Sequence, residues 1–156
     1  MIIRKATAKD LDKIIDLGQD LQNDSKKFEP LLIFDRGQSL AHYKNELSND
    51  GALIIVAENN GKIIGYQYSF TNELDYLSKK NKECTLEAIY VIPEYRSRGI
   101  GGKLMEFAEN WAINTCHVNR IKANIYTDNE SSIALHVNNG FKPYCSEYLK
   151  IINSNE

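Results

Sequence analysis

The chain predicts an α/β (α+β) fold: one mixed, mostly antiparallel sheet with helices on both faces. Three observations carry that reading. Apolar residues repeat at helical spacing through the first part of the chain, then give way to β-branched runs. An Asn59-Asn60-Gly61-Lys62 turn joins two of those runs as a hairpin. A long apolar strand then ends in a basic, glycine-rich turn that opens a helix.

Taken in order, residues 2–6 (IIRKA) suggest a short first strand. Thr7 and Asp10 form a capping-box pattern, and Leu11, Ile14, Ile15, Leu17 and Leu21 fall on one face of a helix expected over 8–24. Pro30 breaks the mixed segment 25–36, which reads as a loop or short helical turn. Leu40, Tyr43 and Leu47 mark a second helix over 37–48. ALIIVAE (52–58) and KIIGYQYSF (62–70) are the hairpin strands, and 71–82 is a polar surface connection. CTLEAIYVI (84–92) is apolar nearly throughout, as a central strand is. A helical stripe runs from Leu104 to about 115, including Phe107 and Trp111, which read as core. IKANIYT (121–127) is a further strand, 130–138 a short helix ended by Gly140, and FKPYCSEYLKII (141–152) a last strand.

With 156 residues the chain suits a single domain spanning 1–156 with a full core. A net charge of −2 argues against a general nucleic-acid binder. No apolar run reaches the roughly 18 residues of a membrane span, and MIIRKATAKDLDK lacks a signal-peptide core. The expectation is a cytoplasmic protein without membrane or nucleic-acid partners. Cys84, Cys116 and Cys145 are scattered and odd in number, and His42, His117 and His136 are not at ligand spacing. Neither a disulfide framework nor a metal site is expected.

The stretch Glu83–Leu104 is the chemical centre of the sequence. Glycines let backbone approach a ligand closely, and the first turn of a helix offers unpaired N–H groups at a positive dipole end. Arg96 and Arg98 add charge where an anion would sit. The P-loop and dinucleotide patterns are both absent, since Leu104 stands where a third glycine would be needed. What stands is Arg96-Ser97-Arg98-Gly99-Ile100-Gly101, preceded by Val91-Ile92-Pro93. This resembles the acetyl-coenzyme A loop, [RQ]-x-x-G-x-[GA], of the GCN5-related N-acetyltransferase (GNAT) superfamily. Asn129 to Phe141, NESSIALHVNNGF, is similar to that superfamily's N-x-x-[AS]-x-x-L-Y-x-x-x-G-F. The opening IIRKATAKDLDKI resembles its usual first strand and helix.

The resemblance implies a GNAT fold of six to seven strands, with splayed central strands and about four helices. It implies acetyl-CoA as co-substrate, with pantetheine pairing to backbone around Ile89, Tyr90 and Val91. The pyrophosphate would sit on N–H groups in the stretch of Arg98, Gly99, Ile100, Gly101 and Gly102, reinforced by Arg96. Asn129 would contact the cofactor from the other splayed edge; it is equally a good N-cap. An N–H near Ile89 or Tyr90 would polarise the thioester carbonyl.

The catalytic groups are less uniform. Many relatives use a tyrosine as general acid where this chain has His136. A histidine can donate a proton, or His136 can simply pack. Tyr126 and Tyr144 are other donors at strand ends. Glu87, inside an apolar strand, is the candidate base, against the alternative of a structural ion pair. Some small-molecule acetyltransferases of the family have a similar strand with a glutamate there. Glu83 reads as lying at the strand's exposed start. Asn124 stands where ribosomal-protein acetyltransferases carry a glutamate base, which weakens the peptide reading. Asp20, Asp24, Glu29 and Asp35 could attract a cationic amine or form a solvated face. The resulting expectation is direct transfer from thioester to a small-molecule amine. Alternatives are acetylation of a protein N-terminus or lysine, or a non-catalytic acetyl-CoA binder. Many relatives are dimers, so a homodimer is a further expectation.

Overall fold

A computed structural model describes residues 1–74 and 81–148. Five strands form one sheet in sequence order: β1 (Ile2–Lys5), β2 (Ala52–Asn59), β3 (Lys62–Glu73), β4 (Lys82–Val91) and β5 (Arg120–Ala123). The first three pairings are antiparallel and β4–β5 is parallel. Four helices accompany it: α1 (Leu11–Ser25), α2 (Arg36–Glu46), α3 (Ile100–Asn114) and α4 (Glu130–Asn138). No helix among the described residues is long and apolar enough to cross a membrane.

The sheet separates two apolar layers. On one face Ile14 and Leu17 of α1 pack on Ile54, Val56, Tyr66, Tyr68 and Tyr90, with Tyr43 and Leu47 from the α2 region. On the other, Ile100, Leu104, Met105, Ala108, Trp111 and Ala112 of α3 pack on Leu53, Ile55, Ile64, Cys84 and Leu86. The strands can do this because alternate side chains point to opposite faces. Gly18 lets α1 come close, since a Cβ there would lie 3.3 Å from the Tyr66 hydroxyl. Asn60 and Gly61 turn the hairpin with φ of 51° and 75°, the positive angles expected of Asn-Gly.

Differences from the sequence reading cluster at the sheet's edges. The expected strand over 121–127 stops at Ala123. Residues 141–148 form no strand, and 149–152 lie outside the described residues. Pro143 within that segment has no N–H to give a ladder. The sheet among the described residues therefore has five strands rather than six to seven. Conversely β3 runs on through Thr71, Asn72 and Glu73, paired with Cys84, Glu83 and Lys82, where a surface connection is expected.

One polar node fastens the entry to α1. Arg4 on β1 donates two hydrogen bonds to Asp10, at 2.8 and 2.9 Å, and one to Glu58 on β2 at 2.8 Å. The N–H and hydroxyl of Thr7 donate to Asp10 at 2.7 and 2.9 Å. Arg4 holds the Asp10 carboxyl well below the usual carboxylate range, against the opposing effect of burial. A carboxyl depressed in the folded state stabilises fully above its unfolded pKa and loses that contribution as pH falls. The stability difference between wild type and Asp10→Asn should thus be constant at neutral pH. It should shrink below about pH 4, the ordinary aspartate value. Arg4→Met should cost about 2–3 kcal/mol at pH 7. Urea unfolding across pH checks both.

Candidate active site

The β4–β5 pairing is short. It joins Glu83–Leu86 to Arg120–Ala123 and then ends, while β4 continues from Glu87 to Val91 with β3 alone beside it among the described residues. The pairing with β3 also slips at this level: Tyr68 faces Ala88 and Ser69 faces Leu86, so Glu87 is an extra, bulged residue. The bulge changes the strand's phase. Cys84 and Leu86 pack on the α3 side, and beyond the bulge so do Ile89 and Val91. Ala88 and Tyr90 pack on the α1–α2 side. Glu87 is exposed on the side of α2.

The open edge presents backbone polar groups. The N–H of Ile92 donates to the Ile64 carbonyl, and the Tyr90 carbonyl lies against Gly65, both toward β3. By strand alternation, Ile89 and Val91 present N–H and C=O to the gap, while Tyr90 presents its own to β3.

At the end of β4 a short 3-10 turn, Pro93–Tyr95, leads into the glycine loop. Ser97 and Gly99 have φ of 60° and 74°. These left-handed residues bring the chain into α3 with its first N–H groups facing outward. Lys103 N–H donates to the Gly99 carbonyl at 3.2 Å, so the N–H groups of Ile100, Gly101 and Gly102 precede the first helical donor. A Cβ at Gly99 would meet nothing within 4 Å, so the loop opens onto free space. These N–H groups suit a pyrophosphate. Behind the loop, Gly101 and Gly102 receive α4: a Cβ at Gly101 would lie 3.2 Å from Leu135, and one at Gly102 3.6 Å from Asn139.

The two arginines differ. Arg96 donates to the Val91 carbonyl and pairs with Asp24 of α1, each at 2.8 Å, and lies over the Tyr90 ring. Its guanidinium braces α1 against the end of β4, and it engages one of the carbonyls at the gap. Arg98 is exposed, stacked 5.1 Å over Tyr95.

On α4, Asn129 is the N-cap; its Oδ1 accepts from the Ser132 N–H and the Ser131 hydroxyl, at 3.2 and 2.9 Å. Its Nδ2 takes no part in the cap. His136 is 4% exposed, with Nδ1 2.8 Å from the Ser132 carbonyl and its ring edge-on to Phe141. A carbonyl only accepts, so Nδ1 carries the proton and Nε2 of the neutral ring is an acceptor. Tyr126 stacks on Phe28, and Tyr144 is 89% exposed.

A depression of about 370 Å³ lies beside Glu87, lined also by His42, Glu46, Asn49, Tyr68 and Phe70. Tyr68 donates to Glu46 at 3.1 Å. Burial first, then Glu46 and the nearby charge of Glu87, push the Tyr68 hydroxyl well above the usual phenol range. Glu46 was not singled out by the sequence, because it closes a helix whose polar face looks uniformly solvated. Three of the four acids that the sequence offers for a cationic amine have other work: Asp24 pairs with Arg96, Asp35 caps α2, and Glu29 accepts from the Leu31 N–H, while Asp20 is exposed on α1. Glu83, expected at an exposed strand start, is buried beneath two cations of β5. Among the described residues no cluster of ligand-type side chains could hold a metal ion.

The family model for the acetyltransferase (GNAT) family matches residues 18–141. The chain belongs to that family. An uncharacterised N-acetyltransferase of Archaeoglobus fulgidus is 31% identical over 114 residues, covering 72% of this chain and 74% of the relative. The uncharacterised N-acetyltransferase YhfO of Bacillus subtilis is 28% identical over 114 residues, covering 67% and 72%. The GNAT fold is shared with a Bacillus halodurans protein solved as a mutant, with TM-score 0.84, 18% identity and coverage of 97% of this chain and 100% of that one. An aminoglycoside 6′-N-acetyltransferase of Acinetobacter haemolyticus has TM-score 0.76, 22% identity and coverage of 98% and 100%. Family membership makes this GNAT chain an acetyltransferase. In the GNAT loop, Gly99→Ala should meet no clash but pay for its left-handed backbone, costing about 1 kcal/mol in urea unfolding.

Proposed function

We propose that the chain moves an acetyl group from acetyl-CoA directly to the primary amine of a small molecule, with Glu87 as base. One observation carries this reading. Glu87 is the first residue of β4 beyond its last pair with β5, and the bulge exposes it in the depression beside α2. An amine in that depression and an acyl group in the gap would meet at Glu87.

Acetyl-CoA would supply an activated acyl group. The chain's part is to hold, orient and move protons. The N–H groups of Ile100, Gly101 and Gly102 bind the pyrophosphate, with Arg98 free to swing toward it. Ile89 offers the N–H that faces the gap as a donor to the thioester oxygen, where charge builds during attack. Glu87 takes a proton from the incoming ammonium, directly or through a water, leaving a neutral nucleophile. The amine nitrogen bonds to the acyl carbon and then gives its second proton to solvent, the carbon–sulfur bond breaks, and the departing thiolate takes up a proton. His136 supplies that proton only as the imidazolium, from Nε2, because Nδ1–H is held by Ser132.

The depression supports a cationic acceptor, since Glu46 and Glu87 line it and no lysine or arginine does among the described residues. The aminoglycoside acetyltransferases of the same fold are named for such amines, and one was solved with CoA. A second reading, a binder of acetyl-CoA without turnover, is favoured by the burial of His136 where many relatives carry tyrosine.

Thiol release with pooled amines, including aminoglycosides and diamines, separates the two. Binding of acetyl-CoA with no release on any amine or peptide would leave only the second reading. Given turnover, Glu87→Gln should lower kcat/KM by roughly 100-fold or more; an unchanged kcat/KM would exclude Glu87 as base. His136→Phe should leave the acetyl-CoA affinity within about twofold and reduce kcat if the imidazolium donates. An unchanged kcat would reduce the residue to packing.

A further inference from the structure

We propose that Glu83 is a positioning residue for the cofactor gap: its buried carboxylate grips Arg120 and Lys122 and so sets the line along which β5 leaves β4. This rests on the proposed use of that gap for acetyl-CoA.

Among the described residues little else fixes β5, although Arg120 also lies 5.9 Å over the Tyr144 ring. The strand's pairing with β4 spans only Glu83–Leu86, and no residue of β5 is fully buried. Parallel pairing is also the weaker kind per residue. Ile121 and Ala123 rest on the α3 layer at its margin. Before the strand, Asn119 brackets Lys82, with its N–H on the Lys82 carbonyl at 2.9 Å and its Oδ1 on the Lys82 N–H at 3.1 Å. That bracket pins one point, and a strand held at one point can still pivot.

Glu83 supplies the second constraint. Its side chain is 1% exposed. One carboxylate oxygen is bonded by Arg120 Nε, directly across the ladder, and the other pairs with Lys122 Nζ at 2.8 Å. Arg120 and Lys122 are two residues apart and share a face of β5. Lys122 lies opposite Thr85, one step nearer the opening. A single carboxylate therefore holds two successive teeth of the neighbouring strand. Sliding β5 along β4, or rotating it away, lengthens at least one of the two contacts.

Burying a carboxylate is costly, and the usual alternative for such a position is an apolar side chain of similar size, often at no loss of stability. Burial here opposes ionisation, yet the two cations outweigh it and hold the carboxyl below its ordinary range. The charged form is thus kept at the closed end of the gap, a place where geometry matters more than cohesion. The same pairing leads within the length of the ladder to Leu86, and the next residue is Glu87.

The test compares wild type with Glu83→Met and Lys122→Met by two measurements. Calorimetric titration with CoA should give a Kd raised about tenfold or more in Glu83→Met and by a smaller factor in Lys122→Met. Amide hydrogen exchange in the ligand-free proteins should show faster exchange at 120–123, with protection in α3 and β2 retained. Folded Glu83→Met with wild-type Kd and wild-type exchange at 120–123 would overturn the proposal. If Glu83→Met does not fold, Lys122→Met decides by the same two readings, since it leaves Glu83 paired with Arg120. If wild type itself fails to bind CoA, the functional reading falls; unchanged exchange at 120–123 then overturns the positioning role separately.

Discussion

A strand that loses its neighbour on one side must leave backbone donors and acceptors without partners, and buried groups of that kind are expensive. Everything distinctive here follows from β4 being in that position from Glu87 to Val91. Ile89 and Val91 offer polar groups to an edge that no strand among the described residues covers. Arg96 reaches back to the Val91 carbonyl, and the α1 carboxylate of Asp24 steadies it. The glycine loop stands at the far end of the same edge, with further unpaired N–H groups of α3. A gap with donors along it and an anion site at its end is one continuous binding surface, arranged by a local failure of sheet pairing.

The sheet tolerates this because its other two layers are strongly made. Tyr43, Tyr66 and Tyr68 meet edge-on between α2 and β3, with ring centroids 5.3 to 6.2 Å apart. Burial raises the hydroxyls of Tyr43 and Tyr66 above the usual phenol range, so they stay neutral through ordinary pH. Beneath the sheet α3 packs on apolar side chains of β2 and β4. The chain can leave one strand half-paired without loosening the elements that hold the loop and α4.

Much of this was legible in the residues. Helical spacing from Leu11 to Leu17 located α1, Asn60-Gly61 located the hairpin, and the two spaced motifs located the loop and α4. All these signals are local, carried by neighbours in the chain. What was missed depends on residues far apart in sequence. Arg96 and Asp24 meet across the loop and α1, and Glu46 approaches Glu87 only because α2 lies over β3 and β4. Glu83 looked exposed because its position was judged from one strand; the cations that permit its burial lie on another. Over 141–148 the expected strand is absent for a related reason: the composition is strand-like, but composition does not supply a partner edge.

The bulge at Glu87 has one more consequence, for how sequences of this kind are compared. Because one residue is inserted, inward and outward positions of β4 change parity there: Cys84 and Leu86 count with Ile89 and Val91, not with Ala88 and Tyr90. A strand counted forward from Cys84 puts Ile89 and Val91 on the α1–α2 face, whereas one counted back from the glycine loop puts them on the α3 face, where they pack. Residue correspondence across this strand is a matter of phase as much as of identity.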